Sequence, residues 1–427
     1  HRDLHSFPTR RSSDLNIDRW ELYHAYEQVK SKRGSAGIDD IGLAEYGKEL
    51  KGNLYKLWNR MSSGSYMPKA VKLVEIPKAN GGTRALGIPT VEDRIAQMLV
   101  VRLIEPSIDA VFHEDSHGYR PNKSAHEAIG KARERCWRYD WVLDMDISKF
   151  FDTIDHRLLM KAVERHVEEK WMLLYIRRWL VVPYQKTDGE IMERTFGVPQ
   201  GSVIGPILAN LYLHYSFDKW MEINHPSIKF ERYADDTVCH CRSREEAEFL
   251  LEILSDRFSV CKLSLNVDKT KIVYCKDDRR RKDHPNVSFD FLGHTFCPRK
   301  TMNRAQRKAF TRFLPDISQK AKKRIKNTMR SWKLKSKSHT PLDLIASEVN
   351  PVVRGWMNYY GKYCMHSMKG IMDDFNLMLS RWAKAKYKRF KRKPVYLALK
   401  WLGGIAKREP MFYHWKLGIY PKNVKCY

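Results

Sequence analysis

The chain has 427 residues, 43% of them hydrophobic, and a formal net charge of +28 at pH 7. That length supports two or three domains with real cores, and no apolar run approaches the roughly 18 residues that a membrane-spanning helix needs. The charge is lopsided: residues 1–300 carry 48 Lys and Arg against 44 Asp and Glu, a net of +4, whereas residues 301–427 carry 30 against 6, a net of +24. A basic excess confined to the last third points to a polyanionic partner. Aromatics interleave it, in "RGWMNYYGKY" (354–363) and "RWAKAKYKRFKRK" (381–393), and offer stacking surfaces for bases between phosphate-binding cations. The eight cysteines contain no C-x-x-C pair, which argues against a zinc ribbon and suits a reducing, intracellular compartment.

In chain order, "HRDLHSFPTRRSSDL" (1–15) has no pattern that packs, and "FPTRRSSDL" resembles a translated sequencing-adapter oligonucleotide, so residues 1–15 are expected to carry no function. Residues 18–31 read as a helix with an apolar stripe, "KRGSAGIDD" (32–40) as a loop, and the following stretch to about Met61 as helix. "AVKLVEIPKANGGTRALGIPT" (70–90) predicts a β-hairpin turning at Asn80, Gly81 and Gly82. A helix over 91–106 is expected to close at Pro106, and another over 124–138 to be capped by Ser124. "WVLDMDISKFFDTID" (141–155) starts as a strand with Asp144 and Asp146 on one face. A helix over 156–167 follows, then a Gly/Pro loop running into a long helix (197–221). "FERYADDTVCHC" predicts a hairpin with Asp235 and Asp236 at its turn. An amphipathic helix (243–261) and strands at 263–274 and 287–297 come next, and from 304 onward the pattern reads as helical and basic.

Asp235 and Asp236 sit in an apolar run, where unpaired carboxylates are costly. If their hairpin neighbours the strand that ends at Asp146, three carboxylates converge. Such a cluster suits Mg²⁺, which takes oxygen ligands beside substrate phosphates. Two such ions can stabilise the attacking and leaving oxygens of phosphoryl transfer. An Asp-Asp pair at a turn is by itself an ordinary turn signal.

The surrounding motifs are specific. "DISKFFD", "VPQGSVIGPILANLYL" and "YADD" resemble reverse transcriptase motifs in the expected order. "SAGIDD", "IPKANGGTRALGIPTVEDRIAQ", "HGYRPNKSAHEAI", "LSLNVDKTKIV", "FDFLGHTF" and "NPVVRGWMNYYGKY" extend the resemblance to bacterial group II intron-encoded reverse transcriptase/maturases over about residues 17–415. The resemblance implies an α+β fold, a right-hand polymerase of fingers and palm with antiparallel sheet, followed by an all-α basic thumb/maturase domain. Its expected divisions are fingers 16–115, palm 116–298, helical thumb or domain X 299–395, and a basic C-terminal extension 396–427, as in short members without an endonuclease domain.

It further implies that Asp146, Asp235 and Asp236 are the catalytic metal ligands, joined by the Ile147 carbonyl. Lys78 and Arg84 match the grip on the incoming triphosphate, Phe151 the residue beneath the sugar, Gln200 the residue against the nucleotide, and Lys269 a lysine near the phosphates. Phe151 also reads as plain core packing. Arg120 matches a template contact. Arg354, Tyr359, Arg381, Lys384, Lys388 and Lys391 are candidate RNA contacts, while Trp356 and Tyr360 read equally as core anchors. The cofactor implied is Mg²⁺, two ions, with Mn²⁺ a substitute. The partners implied are the host group II intron RNA, an RNA template and DNA primer, dNTPs and target DNA, with no membrane, in a bacterial cytoplasm. Alternatives are a non-catalytic maturase and a retron, diversity-generating or defence reverse transcriptase. One departure stands out: Gly205 precedes Pro206 where the family usually has Ser, which predicts a looser loop.

Overall fold

Two kinds of segment build the first half of this protein: helices with one apolar stripe, and short strands apolar on both faces. The computed structural model describes residues 17–77, 82–303 and 308–422. The 1–15 segment, Lys78 with its hairpin turn, and Cys426 lie outside the described residues. The chain divides into two units: one takes the chain up to Ala128 together with Leu143–Ile272, the other Ile129–Val142 together with Val273 onward.

In the first unit, the helix Arg19–Ser31 is capped by Asp18, whose carboxylate accepts from the Trp20 N–H at 2.8 Å. It buries Leu22, Ala25, Tyr26 and Val29, one face of a 3.6-residue period. Strands Val71–Pro77 and Thr83–Ile88 pair antiparallel with Ile76 opposite Arg84, as the hairpin reading predicts. The helix expected to stop at Pro106 instead runs Val91–Val111 with the proline inside it. Proline costs about 3 kcal/mol in a helix interior. Here Ile104 and Ile108, at 3% and 0% exposure, anchor the helix on both sides of it, and packing outweighs propensity. Ser124 caps the next helix as expected, in a reciprocal box: its hydroxyl accepts from the Glu127 N–H, while the Glu127 carboxylate accepts from the Ser124 N–H at 2.7 Å.

The central sheet has four strands, in the order Lys229–Tyr233, Asp236–Cys241, Trp141–Met145, Lys271–Tyr274. The first two form an antiparallel hairpin in which Tyr233 faces Asp236 across a two-residue turn, Ala234-Asp235. Of the strand expected over 263–274, only Lys271–Tyr274 is extended. The preceding loop reaches the end of the Trp141–Met145 strand through an Ile147–Leu265 bridge. The long helix expected after the Gly/Pro loop is continuous from Gly205 to Asn224 but widens into a π turn at His214–Asp218. Arg257 donates to the Tyr215 and Ser216 carbonyls there, at 2.9 and 3.1 Å.

In the second unit the reading of 304 onward as helix is corrected. Strand Lys308–Ile317 pairs antiparallel with His294–Asn303, which pairs in turn with Phe289–Phe291. Phe313 and Ile317, at 0% and 1% exposure, mark the buried face. Pro315 is tolerated because the strand lies at a sheet edge. Helices begin at Gln319 and continue through Gln319–Ser331, the kinked run Leu342–Lys386 and Val395–Arg408. They enclose a core that includes Ile325, Phe375, Trp382, Phe412 and Trp415. Trp356 stacks on Trp332 at 5.7 Å and Tyr360 is 2% exposed, so the core-anchor reading of that pair holds. Among the described residues no helix is long and apolar enough to cross a membrane.

Candidate active site

Three carboxylates meet where the two central strands of the four-stranded sheet end. Asp146 follows the strand Trp141–Met145, with Asp144 half-buried on that strand; Asp235 occupies the hairpin turn and Asp236 opens the next strand. Sheet order makes these strands neighbours. The Asp146 backbone is pinned by the loop beyond: its carbonyl accepts from the Asn266 N–H, and the Ser148 N–H donates to the Ser264 carbonyl, both at 2.8 Å. Ile147 lies between these bonds and is buried.

The cluster is electrostatically unsettled. Burial, with the charges of Asp235 and Asp146 added, pushes the Asp236 carboxyl up to about 6, although one side of it faces water. Burial also raises Asp235, with Asp146 adding to the rise while Arg84 and Lys269 oppose it. The cation in direct contact is Lys269, whose ammonium meets the Asp146 carboxylate at 2.9 Å. Among the described residues no group of three or more His, Cys, Asp or Glu is already arranged to hold a metal ion. The donor set nevertheless fits a hard divalent cation: oxygen ligands only, mutually repelling, with an ammonium on the carboxylate such an ion would claim.

The loop after Phe196 closes one side. Gly197 and Val198 donate to the Ile154 and Phe151 carbonyls, at 2.8 and 2.7 Å. The Gly87 N–H donates to the Gln200 carbonyl at 2.7 Å, and a side chain at Gly201 would strike the Gly87 carbonyl. The Arg84 guanidinium donates to the Gln200 side-chain carbonyl. Arg84 and Gln200 are therefore brought together, and the charge of Arg84 reaches Asp235. Phe151 is 9% exposed and packs edge-on to Phe150. The expected looseness at Gly205 is not found. The Ser202 hydroxyl accepts from the Gly205 N–H at 3.1 Å and fills the space a side chain would need.

Other assigned residues are placed differently. Arg120 is turned inward. Its guanidinium donates to Asp109, to the His113 and Ser116 carbonyls and to the Asp109 carbonyl, at 2.6–3.0 Å, with its side chain 7% exposed. Four of its five N–H groups are engaged within the protein, so Arg120 acts as an internal clamp. The Tyr359 hydroxyl donates to the Leu292 carbonyl at 2.8 Å and its ring packs beside His294 and Tyr360. Arg354 is exposed and lies over Tyr413 at 5.3 Å. Arg381, Lys388 and Lys391 are exposed, whereas Lys384 donates to the Lys393 carbonyl.

Sequence reasoning missed what holds the Ala234-Asp235 turn. Arg232 is fully buried and forks onto Asp218, also fully buried, at 2.5 and 2.7 Å. The same guanidinium donates to the Ala234 carbonyl and Asn210 at 3.0 Å and to the Ser116 hydroxyl at 2.8 Å. On the opposite face of the strand, Glu231 meets buried His240 at 2.6 Å. The signal was present: two charged residues in succession within an apolar strand each need a buried partner.

A family model described as "Reverse transcriptase (RNA-dependent DNA polymerase)" matches residues 76–296, a span that holds every one of these carboxylates. The chain belongs to the reverse transcriptase family. A second model, "Group II intron, maturase-specific domain", matches residues 322–399 in the helical part of the second unit. The chain is 32% identical to "Protein YkfC" of Escherichia coli (strain K12), over 62% of this chain and 76% of that protein. It is 30% identical to "Group II intron-encoded protein LtrA" of Lactococcus lactis subsp. cremoris, over 51% of this chain and 35% of that protein. The alignment therefore spans about a third of LtrA.

Proposed function

We propose that this reverse transcriptase copies RNA into DNA from dNTPs by two-metal-ion nucleotidyl transfer, and that it binds its host group II intron RNA to assist splicing and retrohoming into target DNA. The observation that carries the reading is the carboxylate cluster at the ends of adjacent strands, facing the Arg84–Gln200 pair. Asp146, Asp235, Asp236 and the Ile147 carbonyl would hold the Mg²⁺ ions, with Mn²⁺ as substitute. Bound there, the ions supply positive charge to the attacking and leaving oxygens.

The chain's own residues do the rest. Arg84, with Lys78, receives the triphosphate, and Gln200 steadies the nucleotide while its own backbone is tied to Gly87. Phe151, fixed by its carbonyl's bond to Val198, closes the space beneath the sugar against a 2′-hydroxyl. Lys269 keeps Asp146 paired until a cation claims it, then stands free near the phosphates. Fingers over 16–115, palm over 116–298 and thumb from 299 remain the division this reading favours, with the thumb's helices starting at Gln319. The maturase-specific match and the exposed Arg354, Arg381, Lys388 and Lys391 support RNA docking on the second unit. The same match favours an intron partner over a retron or defence role.

Asp235→Asn tests the chemistry. A neutral amide cannot replace an anionic ligand, so primer extension is expected to fall at least roughly 10³-fold, as on loss of a major electrostatic stabiliser. Melting should be unchanged or raised. Extension at near wild-type rate would refute Asp235 as a metal ligand, whereas absence of extension by the wild type would make the non-catalytic maturase the better reading.

A further inference from the structure

A second cavity of the first unit, about 280 Å³, lies between the helix His156–Val163, the π turn at His214–Asp218 and the end of the helix Arg244–Val260. That size is near the lower end of small-ligand pockets, roughly 300–1,000 Å³. Three cations line it, Lys161, Arg165 and Arg257, and no Asp or Glu does. Neighbouring Glu164 is turned to Arg177 instead. Among the described residues neither Lys161 nor Arg165 has an acidic partner; the Arg165 guanidinium lies over the Tyr215 ring at 5.4 Å. Arg257 donates through Nε to the Ser216 carbonyl and through Nη2 to the Tyr215 carbonyl, which leaves Nη1 without a protein partner among the described residues. Cations gathered without a counter-charge repel one another, and an anion between them removes that cost.

The rest of the wall narrows the ligand. The Tyr212 hydroxyl donates to the Cys261 carbonyl at 2.5 Å, and the Ser216 hydroxyl to the Tyr212 carbonyl at 2.9 Å. The Tyr215 hydroxyl is bonded to His166 at 2.6 Å. Each hydroxyl of the wall is thus already engaged, which leaves charge and flat apolar surface as the means of recognition. Leu158, Ala162 and Val260 supply that surface beside the Tyr215 ring, and Val260 is 69% exposed. The cavity also has a route inward. Asp218 ends the π turn that Arg257 holds, and it forks onto Arg232, which donates to the Ala234 carbonyl. π turns inside α-helices are frequent at functional sites.

We propose that this cavity is a regulatory binding site for a small aromatic anion, a flat ring system bearing one carboxylate, sulfonate or phosphate. The anionic group meets Lys161, Arg165 and Arg257 Nη1, and the rings lie on the apolar wall. An anion that draws the Arg257 guanidinium outward loosens its hold on the π turn, and through Asp218 and Arg232 on the Ala234-Asp235 turn. The effect on activity rests on the polymerase reading; the binding does not. The full-length protein is titrated with anilinonaphthalene sulfonate, an aromatic anion whose fluorescence rises on binding, and with phenylnaphthylamine, the same body without the anion. Wild type should bind the sulfonate at least about 10-fold more tightly than the neutral body, the worth of one charge-assisted contact. Changing Lys161 and Arg165 together to Gln should remove that preference, and Val260→Asp, which sets an acid in the wall, should abolish sulfonate binding. All three residues are exposed, so both variants should melt as wild type does.

Changing Arg381, Lys388 and Lys391 of the second unit together to Gln should leave the titration as it is. Sulfonate binding that survives Val260→Asp, or that is lost in the second-unit variant instead, would overturn the proposal. If the first-unit variants fail to melt cooperatively, the wild type decides alone: equal affinity for the sulfonate and the neutral body overturns it. Displacement of the probe by a short single-stranded RNA, with none by free naphthoate, would make the cavity an RNA contact and overturn the small-ligand reading. Primer extension is run in parallel. As the sulfonate fills the site, wild-type kcat should fall with the dNTP KM little changed, while Val260→Asp keeps its rate. An unchanged kcat at full occupancy overturns the regulatory role, whereas no extension by wild type without the probe counts against the polymerase reading only.

Discussion

Replacing Arg232 tests whether the turn that carries Asp235, proposed as a metal ligand, is held from below. In Arg232→Met the Asp218 carboxylate, fully buried, loses both arms of its fork, and the Ala234 carbonyl and Asn210 lose a donor. Removing one partner of a buried ion pair costs about 3–5 kcal/mol, and each orphaned neutral acceptor about 1 kcal/mol more. Against a typical total of about 5–15 kcal/mol, this variant should unfold at far lower urea. Pairing it with Asp218→Leu removes the stranded charge, so the double variant should be more stable than the sum of the singles predicts, by about 2 kcal/mol or more. Urea denaturation of the four proteins of the cycle measures this coupling. Arg232→Lys separates stability from function. It keeps the buried charge but loses the fork, so it should fold while primer extension falls through kcat, with the dNTP KM little changed, because the turn bearing Asp235 is released rather than the nucleotide's contacts. Additive single effects, or a lysine variant with wild-type kcat, would refute the bracing argument.

Asp236 gives a pH dependence with a definite sign. Its folded value of about 6 lies above the ordinary aspartate value of 3.8, so the stability it contributes is fully present below about 3.8 and lost as pH rises through about 6. In chelator, Asp236→Asn should therefore melt higher than wild type at pH 7.5, with the gap closing toward pH 4, and added Mg²⁺ should reverse the order; a gap independent of pH would refute the assignment. For RNA docking, Arg381, Lys388 and Lys391 changed together to Gln should lower the slope of log affinity against log salt by about 2 to 3, at roughly 0.7–0.9 per phosphate contact. An unchanged slope in binding titrations would place the RNA path elsewhere.

The placement of the carboxylates was legible because it depends on short-range pattern. The Ala234-Asp235 turn, the flanking strands and the strand that ends at Asp146 all follow from period-two apolar runs and their breaks. Adjacency of the two strands needed only that buried charges find a common neutraliser. What stayed hidden was decided by distant partners. Pro106 looked like a stop because nothing local shows that Ile108 will be buried. The Lys308–Ile317 strand was hidden because Pro315 and a short apolar run give a weak local signal beside the long helical segments that follow, and its pairing with His294–Asn303 decides it. The inward turn of Arg120 was hidden for the same reason: the loop, packed by Gly118 against the Ala234 backbone, sets the guanidinium on Asp109 and on the His113 and Ser116 carbonyls.

The inward use of side chains runs through the last third of the chain and limits what the +24 of residues 301–427 can do. Its aromatics were expected to read RNA, yet Trp356 and Tyr360 are spent on the core and the Tyr359 hydroxyl on the Leu292 carbonyl. Even Arg389 lies over Trp401 and Phe390, at 5.1 and 4.7 Å. Charge with few exposed rings beside it, Tyr396 at 49% exposure among them, gives affinity with limited preference among RNAs. Selection of one intron then has to come from the spatial arrangement of exposed cations along a rigid helical frame, matched to phosphates of a folded RNA rather than to its bases. On that argument Tyr359→Phe, which keeps the ring and loses only an internal hydrogen bond, leaves intron preference intact, and changes that displace one helix against the next are the ones that erode it.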